Sequence, residues 1–197
     1  MAQIINTNLP SLNAQRNLSA TGSDLAQAVQ RLSSGLRVNS AKDDAAGLAI
    51  AERMSAQARG MTVAIRNAND GISMAQTAEG ALGQVSDMLQ RMRELAVQSM
   101  NATNGESDRA NLDAEFQQLA AEITRTIAGT QFNGLTILGA DAGTLTFQVG
   151  AGTTANDSLN VTSVDLSADA SVGAVTGGAV TDVTTATDAV NNIDAVL

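Results

Sequence analysis

Met54, Met61, Ala68, Ala75, Leu82, Leu89 and Ala96 follow one another at intervals of seven residues. An apolar repeat of this length predicts one continuous helix that must bury a stripe against other helices. Drawn from Asp43 to Met100 at about 1.5 Å per residue, such a helix is roughly 85 Å long. That exceeds the width of a small globule. The predicted fold class is therefore mainly α: a long antiparallel helical bundle or coiled-coil rod, with a small β-hairpin region further along. A chain built this way points to a structural or assembly role before a catalytic one.

Composition supports that direction. The 197 residues contain no His, Cys, Trp or Tyr, three Phe and a single Pro. Without Cys or His there is no disulfide, no thiolate nucleophile, no Ser–His–Asp triad and no Cys/His metal site. No enzyme activity, cofactor or metal is expected. The net charge of −9 is unevenly placed. All eleven basic residues lie before Thr126, against thirteen acids, and the seven remaining acids, all Asp, follow it. Neither part has the basic patches and stacking aromatics of a nucleic-acid binder. No apolar run reaches the ~20 residues of a membrane helix. The N-terminus lacks the basic and apolar regions of a secretory signal, so the chain is expected to be cytosolic or exported by a route that cleaves no such signal.

Along the chain, residues 4–36 read as a first helix with Leu18, Leu25 and Leu32 seven apart, Pro10 near its start and Ser33-Ser34-Gly35 at its end. Ser40 reads as the cap of the long helix, with Asp43 and Asp44 in its first turn. Companion apolar residues follow the stripe by four at Ala58, Ile65 and Ile72, and by three at Ala78, Val85 and Met92. That change reads as a stutter. A second row, Met74, Ala81, Met88 and Leu95, widens the apolar band toward a multi-helix bundle. Gly60, Gly71, Gly80 and Gly83 lie within this helix and cost ~4 kcal/mol together relative to Ala, so packing must hold it. The glycines would also permit close helix approach. Ser107 is the expected cap of a third helix, with Leu112, Phe116, Leu119, Ile123 and Ile127 on one face, antiparallel to the long one.

The period then changes. Phe132–Leu138, Thr144–Val149 and Ser158–Thr162 read as short strands, and 166–182 as a flexible connection rich in Gly, Ala, Ser, Thr and Val. Val183, Ala186, Val190, Ile193 and Leu197 restore helical spacing. That pattern ends without a cap, and the expectation is a piece of a longer chain. The domain reading is thus 1–40, an N-terminal helix and connector; 41–165, a helical rod domain with helices at about 43–100 and 107–128 and hairpins at 132–165; 166–182, a linker; and 183–197, the start of a further helix.

The segment Leu32-Ser-Ser-Gly-Leu-Arg-Val-Asn-Ser-Ala-Lys-Asp-Asp-Ala-Ala-Gly-Leu-Ala-Ile-Ala-Glu-Arg-Met54 resembles the signature region of bacterial flagellin. Asn6-Thr-Asn with Ser11-Leu-Asn-Ala-Gln-Arg-Asn, the stretch from Arg66-Asn-Ala-Asn-Asp-Gly to Glu79-Gly-Ala-Leu, Gln90-Arg-Met-Arg-Glu-Leu-Ala-Val-Gln98 and Phe132-Asn-Gly agree in order. The resemblance covers residues 1 to about 150. It implies a secreted filament subunit of the flagellum, exported unfolded by the flagellar type III apparatus, whose first helix lines an inner tube and whose long helix belongs to a rod. Its implied partners are other flagellin subunits, the export apparatus, and cap and junction proteins. A variable outer domain usually follows the hairpins, and here only about thirty residues stand in its place. The rival readings are the hook–filament junction protein, which shares the N-terminal pattern, and a soluble helical adaptor.

The resemblance also implies a recognition site. Gln90, Arg91, Leu95 and Glu115 match positions through which some flagellins are read by Toll-like receptor 5. Arg91 and Leu95, four apart, would share one exposed flank. The plainer alternative has Leu95 packed in the bundle and Arg91 paired with Asp87. For the stripe residues and for Leu112, Phe116, Leu119 and Ile123 the expectation is bundle and subunit packing.

Overall fold

A computed structural model of the chain describes residues 8–197. Of the first-helix reading, residues 4–7 lie outside the described range. Two compact units are present, divided between Arg59 and Gly60. Helix α2, Ala41–Ser99, contributes residues to both.

The first unit contains α1, Leu9–Ser34, and the opening turns of α2. Asn8 caps α1 by accepting from the Ser11 N–H at 3.2 Å, and Pro10 sits in the first turn, where its missing donor costs nothing. Gly35 ends the helix in the left-handed conformation at φ 69°, its N–H donating to the Arg31 carbonyl. The cap of α2 differs from expectation. Asp44, not Ser40, has extended backbone (φ −163°, ψ 99°), and its carboxylate accepts from the Gly47 N–H at 2.8 Å. Residues 41–43 form a separate turn folded around Asp43. That carboxylate accepts from Gln27 Nε2 at 2.5 Å and from the N–H groups of Asn39 and Ser40, with Arg31 at 4.0 Å. These bonds hold its pKa below the ordinary carboxylate range, the Gln27 bond most of all. No apolar side chain of the described part of this unit is buried.

The second unit carries the core. Helix α3, Glu106–Gly129, runs antiparallel to α2. Its cap is Gly105, two residues earlier than the expected Ser107, and Gly105 N–H donates to the Asp108 carboxylate at 3.1 Å. Phe116, Ala120, Ile123 and Ile127 are buried on its inner face, with Leu112 and Leu119 half-buried at the edges. Two hairpins follow. Strands β1, Gln131–Phe132, and β2, Leu135–Thr136, flank Asn133-Gly134, both at positive φ (51° and 83°). This is the turn that Asn-Gly favours. It divides the segment 132–138 that reads as one strand, because the chain reverses inside it. Strands β3, Thr144–Gln148, and β4, Ser158–Thr162, pair antiparallel in register from Thr144↔Thr162 to Gln148↔Ser158.

The region 166–182 is not a flexible linker. It holds helix α4, Ala170–Thr176, capped by Asp169, and it buries Val172, Val175 and Val180. Three apolar residues at near-helical spacing supplied enough burial to order a stretch whose composition reads as loose. Helix α5, Val183–Val196, capped by Asp182, then returns along α2 and buries Ala186, Ala189 and Ile193.

The seven-residue stripe is corrected in its position. Met54, Met61, Ala75 and Leu82 are exposed and Ala68 is half-buried; only Leu89 and Ala96 are buried. The buried seam consists of two other heptad rows: Ala64, Gly71, Ala78, Val85, Met92 and Ser99, and Met74, Ala81, Met88 and Leu95. These rows alternate three and four apart, the spacing of a continuous seam without a stutter. The expected stripe lies one residue, about 100°, beyond the second row. It becomes buried only where α3 and α5 flank α2 on two sides.

The helix glycines divide in the same way. A Cβ on Gly60 would stand 2.8 Å from the Ala151 methyl, and one on Gly71 3.3 Å from the Phe147 ring. They admit the second hairpin rather than another helix. Gly80 and Gly83 face open space. Gly80→Ala should therefore raise the thermal midpoint by ~2–4 °C, from the ~1 kcal/mol helix preference of Ala over Gly, whereas Gly60→Ala should lower it. Circular dichroism melts of the two variants check this; equal gains would refute the close approach of the hairpin at Gly60.

Candidate recognition and assembly surface

Met92 is fully buried, and its two neighbours on α2 reach outward to either side of it. Arg91 and Arg93 project about 200° apart around the helix. Arg91 reaches α3, where Nε and Nη2 both donate to Glu115 Oε1 at 3.0 and 2.8 Å, while Nη1 donates to Glu94 at 2.9 Å. Arg93 reaches α5, donating to both carboxylate oxygens of Asp194, the nearer at 2.7 Å. The pairing holds the Asp194 carboxyl below its ordinary range and raises the Arg93 guanidinium. Exposed pairs of this kind add little stability. Here they bridge α2 to α3 on one side and to α5 on the other, with Met92 buried between them.

The four recognition candidates do not form one exposed group. Gln90, Arg91 and Glu115 are on the surface, and the ion pair brings Arg91 and Glu115 together across the α2–α3 groove. Leu95 is only 1% exposed and belongs to the core. The exposed flank expected for Arg91 and Leu95 is not shared, because Leu95 is in the seam row while Arg91 is beside it. Nor does Arg91 pair with Asp87; Glu94 and Glu115 take the guanidinium instead.

A second polar cluster escaped the sequence reading. Ser99 is fully buried, and its Oγ donates to the Val180 carbonyl at 2.5 Å. Arg109 Nε donates to the Ser99 carbonyl at 3.0 Å and Nη2 to that of Asn101 at 3.3 Å, satisfying the open end of α2. Asp113 accepts from the Val180 N–H at 2.8 Å, and Gln117 donates to the Gly178 carbonyl at 2.7 Å. Ser99, Asp113 and Gln117 fasten the α4–α5 connection to α2 and α3, and Arg109 ties α3 to the end of α2. The sequence signal was a polar residue, Ser99, continuing the Ala78–Val85–Met92 row.

A row of apolar side chains is left uncovered elsewhere. On α1, Leu25 is 63% exposed, and Leu18 and Leu32 more so. On α2, Met54, Met61, Ile65 and Ile72 are exposed, Ile65 at 65%. Among the described residues no helix is long and apolar enough to cross a membrane, and no group of three or more Asp or Glu is arranged to hold a metal ion.

Residues 5–142 match the family described as the bacterial flagellin N-terminal helical region. The chain belongs to the bacterial flagellin family. Flagellin of Halalkalibacterium halodurans is 52% identical over 193 residues, 98% of this chain and 69% of that protein. Flagellin of Salmonella rubislaw is 59% identical over 151 residues, 77% of this chain. The chain spans about 30% of the length of such Salmonella relatives. In three dimensions it is similar to the crystal structure of Bacillus cereus flagellin, with a TM-score of 0.56, 31% identity, and coverage of 66% of this chain and 73% of that one. The helix-and-hairpin fold is thus a flagellin fold.

Five further Asp residues help to close turns and caps. Asp157 accepts from the N–H and hydroxyl of Thr154, Asp141 from those of Thr136, and Asp169 and Asp182 cap α4 and α5. Asp165 takes the Ser167 N–H and hydroxyl. Together with Asp194 these carboxyls are held below their ordinary range, chiefly by hydrogen bonds to neighbouring side chains and N–H groups. A depressed folded-state pKa contributes stability that is complete above the unfolded value, about 4 for Asp, and is lost as pH falls through the folded value. The thermal midpoint should therefore be level from about pH 7 to 5 and fall steeply below about pH 4. Asp182→Asn, which keeps the cap, should shallow that fall; melts across the acid range measure it.

Proposed function

We propose that this flagellin is a structural subunit of the bacterial flagellar filament. The observation that carries the reading is the uncovered apolar spacing on α1 and on the first half of α2. Heptad rows of Leu, Ile and Met left in water favour association with further helices. Neighbouring copies in an open helical array would cover them by heterologous contacts. The filament subunit is extracellular on this reading, reaches its place through the flagellar type III apparatus, meets cap and junction proteins during assembly, and serves motility. Expressed from its gene, the Ile65→Asp variant should melt nearly as the parent does, since Ile65 is exposed, and should abolish or shorten filaments seen by electron microscopy in a bacterium lacking its own flagellin. Filaments of normal length from the variant would count against the reading, as would no filaments from the unaltered gene.

The α2–α3 surface is in turn proposed as the part read by Toll-like receptor 5. Arg91, fixed by Glu115 and Glu94, presents a charged ridge beside exposed Gln90. Leu95 would act through the core that supports this ridge. Arg91→Ala should weaken receptor activation without lowering the melting point appreciably, whereas Leu95→Ala should do both, at ~2–5 kcal/mol of stability. A receptor dose response on folded Arg91→Ala protein equal to that of the parent would refute the assignment.

A further inference from the structure

The chain contains two Asn-Gly pairs, Asn104-Gly105 and Asn133-Gly134. Asn-Gly is the sequence in which an asparagine side chain is most open to attack by the next backbone nitrogen, because Gly has no Cβ to obstruct the approach. The two sites differ sharply in structure. At Asn104 both reacting groups are held: the carboxamide donates to the Gln98 carbonyl at 2.6 Å, and the Gly105 N–H donates to Asp108 Oδ2 at 3.1 Å. At Asn133 neither the carboxamide nor the Gly134 N–H makes a hydrogen bond among the described residues. Both residues are exposed, Asn133 stands at φ 51°, and the strands that frame the turn are two residues each.

We propose that Asn133 is a site of spontaneous deamidation in the folded protein, and that Asn104 is protected by the fold. The Gly134 nitrogen bonds to Asn133 Cγ, and the side-chain nitrogen leaves as ammonia, carrying the proton that the Gly134 amide gives up. The resulting succinimide is opened by water at either carbonyl, giving aspartate or isoaspartate. The net change is one water consumed and one ammonia released, with no oxidant or other reagent.

The position gives the product a consequence. Asn133 lines a groove with Asp70 of α2 and with Phe132, Leu135 and Phe147. Deamidation adds a negative charge to a groove that already holds Asp70. Isoaspartate also lengthens the backbone by one carbon, which a two-residue turn cannot accommodate without opening the β1–β2 pair. The hairpin is thereby loosened from the long helix in aged subunits.

The test is peptide mapping by mass spectrometry after incubation of the native protein in mildly alkaline buffer, with digestion at low pH to suppress new reaction. Native protein should show the nitrogen-to-oxygen mass gain in the Asn133 peptide, as two chromatographic forms. Its rate should exceed that of the Asn104 peptide by about tenfold or more, the effect expected from two hydrogen bonds held at Asn104. Transfer of a labelled methyl group by an isoaspartyl methyltransferase should mark the same peptide. In concentrated urea the two peptides should react at similar rates. Equal native rates, a faster Asn104, or a native Asn133 that stays intact while the urea-unfolded chain reacts would each overturn the proposal.

Discussion

A helix as long as α2, continuous beyond Asp44 to Ser99, cannot bury its own apolar rows. Everything in the second unit follows from how α2 is covered. Met92, Leu95, Ala96 and Ser99 are enclosed because α3 closes one flank and α5 the other. Each fully buried large side chain contributes ~1.5–3 kcal/mol relative to exposure, and isolated helices of this kind, interrupted by Gly, gain little from propensity alone. The hairpins complete the cover further toward Gly60, where they take advantage of missing Cβ atoms. Removing the cover would leave α2 with the same problem that its first half already shows, exposed Met and Ile at regular intervals.

The first unit is organised on a different basis. Its contacts are polar and converge on the Asp43 carboxylate, which meets Gln27, Asn39 and Ser40 together with Arg31. With no buried apolar side chain in its described part, this unit has local helix order and a hydrogen-bonded turn but no core. Such an element suits a protein whose apolar surface is completed by other chains, and it is consistent with the filament role proposed for this flagellin.

Ordinary pattern reading located most elements. Helix bounds moved by a few residues, where the local backbone put the cap at a neighbouring position: Asp44 rather than Ser40, Gly105 rather than Ser107. The face of α3 was legible because Phe116, Ile123 and Ile127 lie on one side with polar residues opposite. The face of α2 was not. Three of its heptad rows are apolar, and period alone does not say which of them meets the partner. Helix α4 was hidden by composition, since Ala, Gly, Ser and Thr mark loops unless a few valines find burial, as Val172 and Val175 do. The recognition candidates were legible as residue types but not as a surface. Leu95 and Arg91 are four apart, yet one points into the core and the other to Glu115.

By itself the sequence determined the helical class, the long α2 and the flagellin family, because these rest on periodicity and long matched segments that are local in the chain. Only the tertiary structure decided which row of α2 is buried, that residues 166–182 are ordered, that Ser99 and Arg109 fasten the end of the bundle, and that one Asn-Gly pair is held while the other is free. Each of those depends on residues far apart in sequence, such as Ser99 with Val180 or Arg93 with Asp194. Burial and hydrogen bonding are properties of what lies opposite a side chain, and that is set by the packing of whole elements rather than by any one of them.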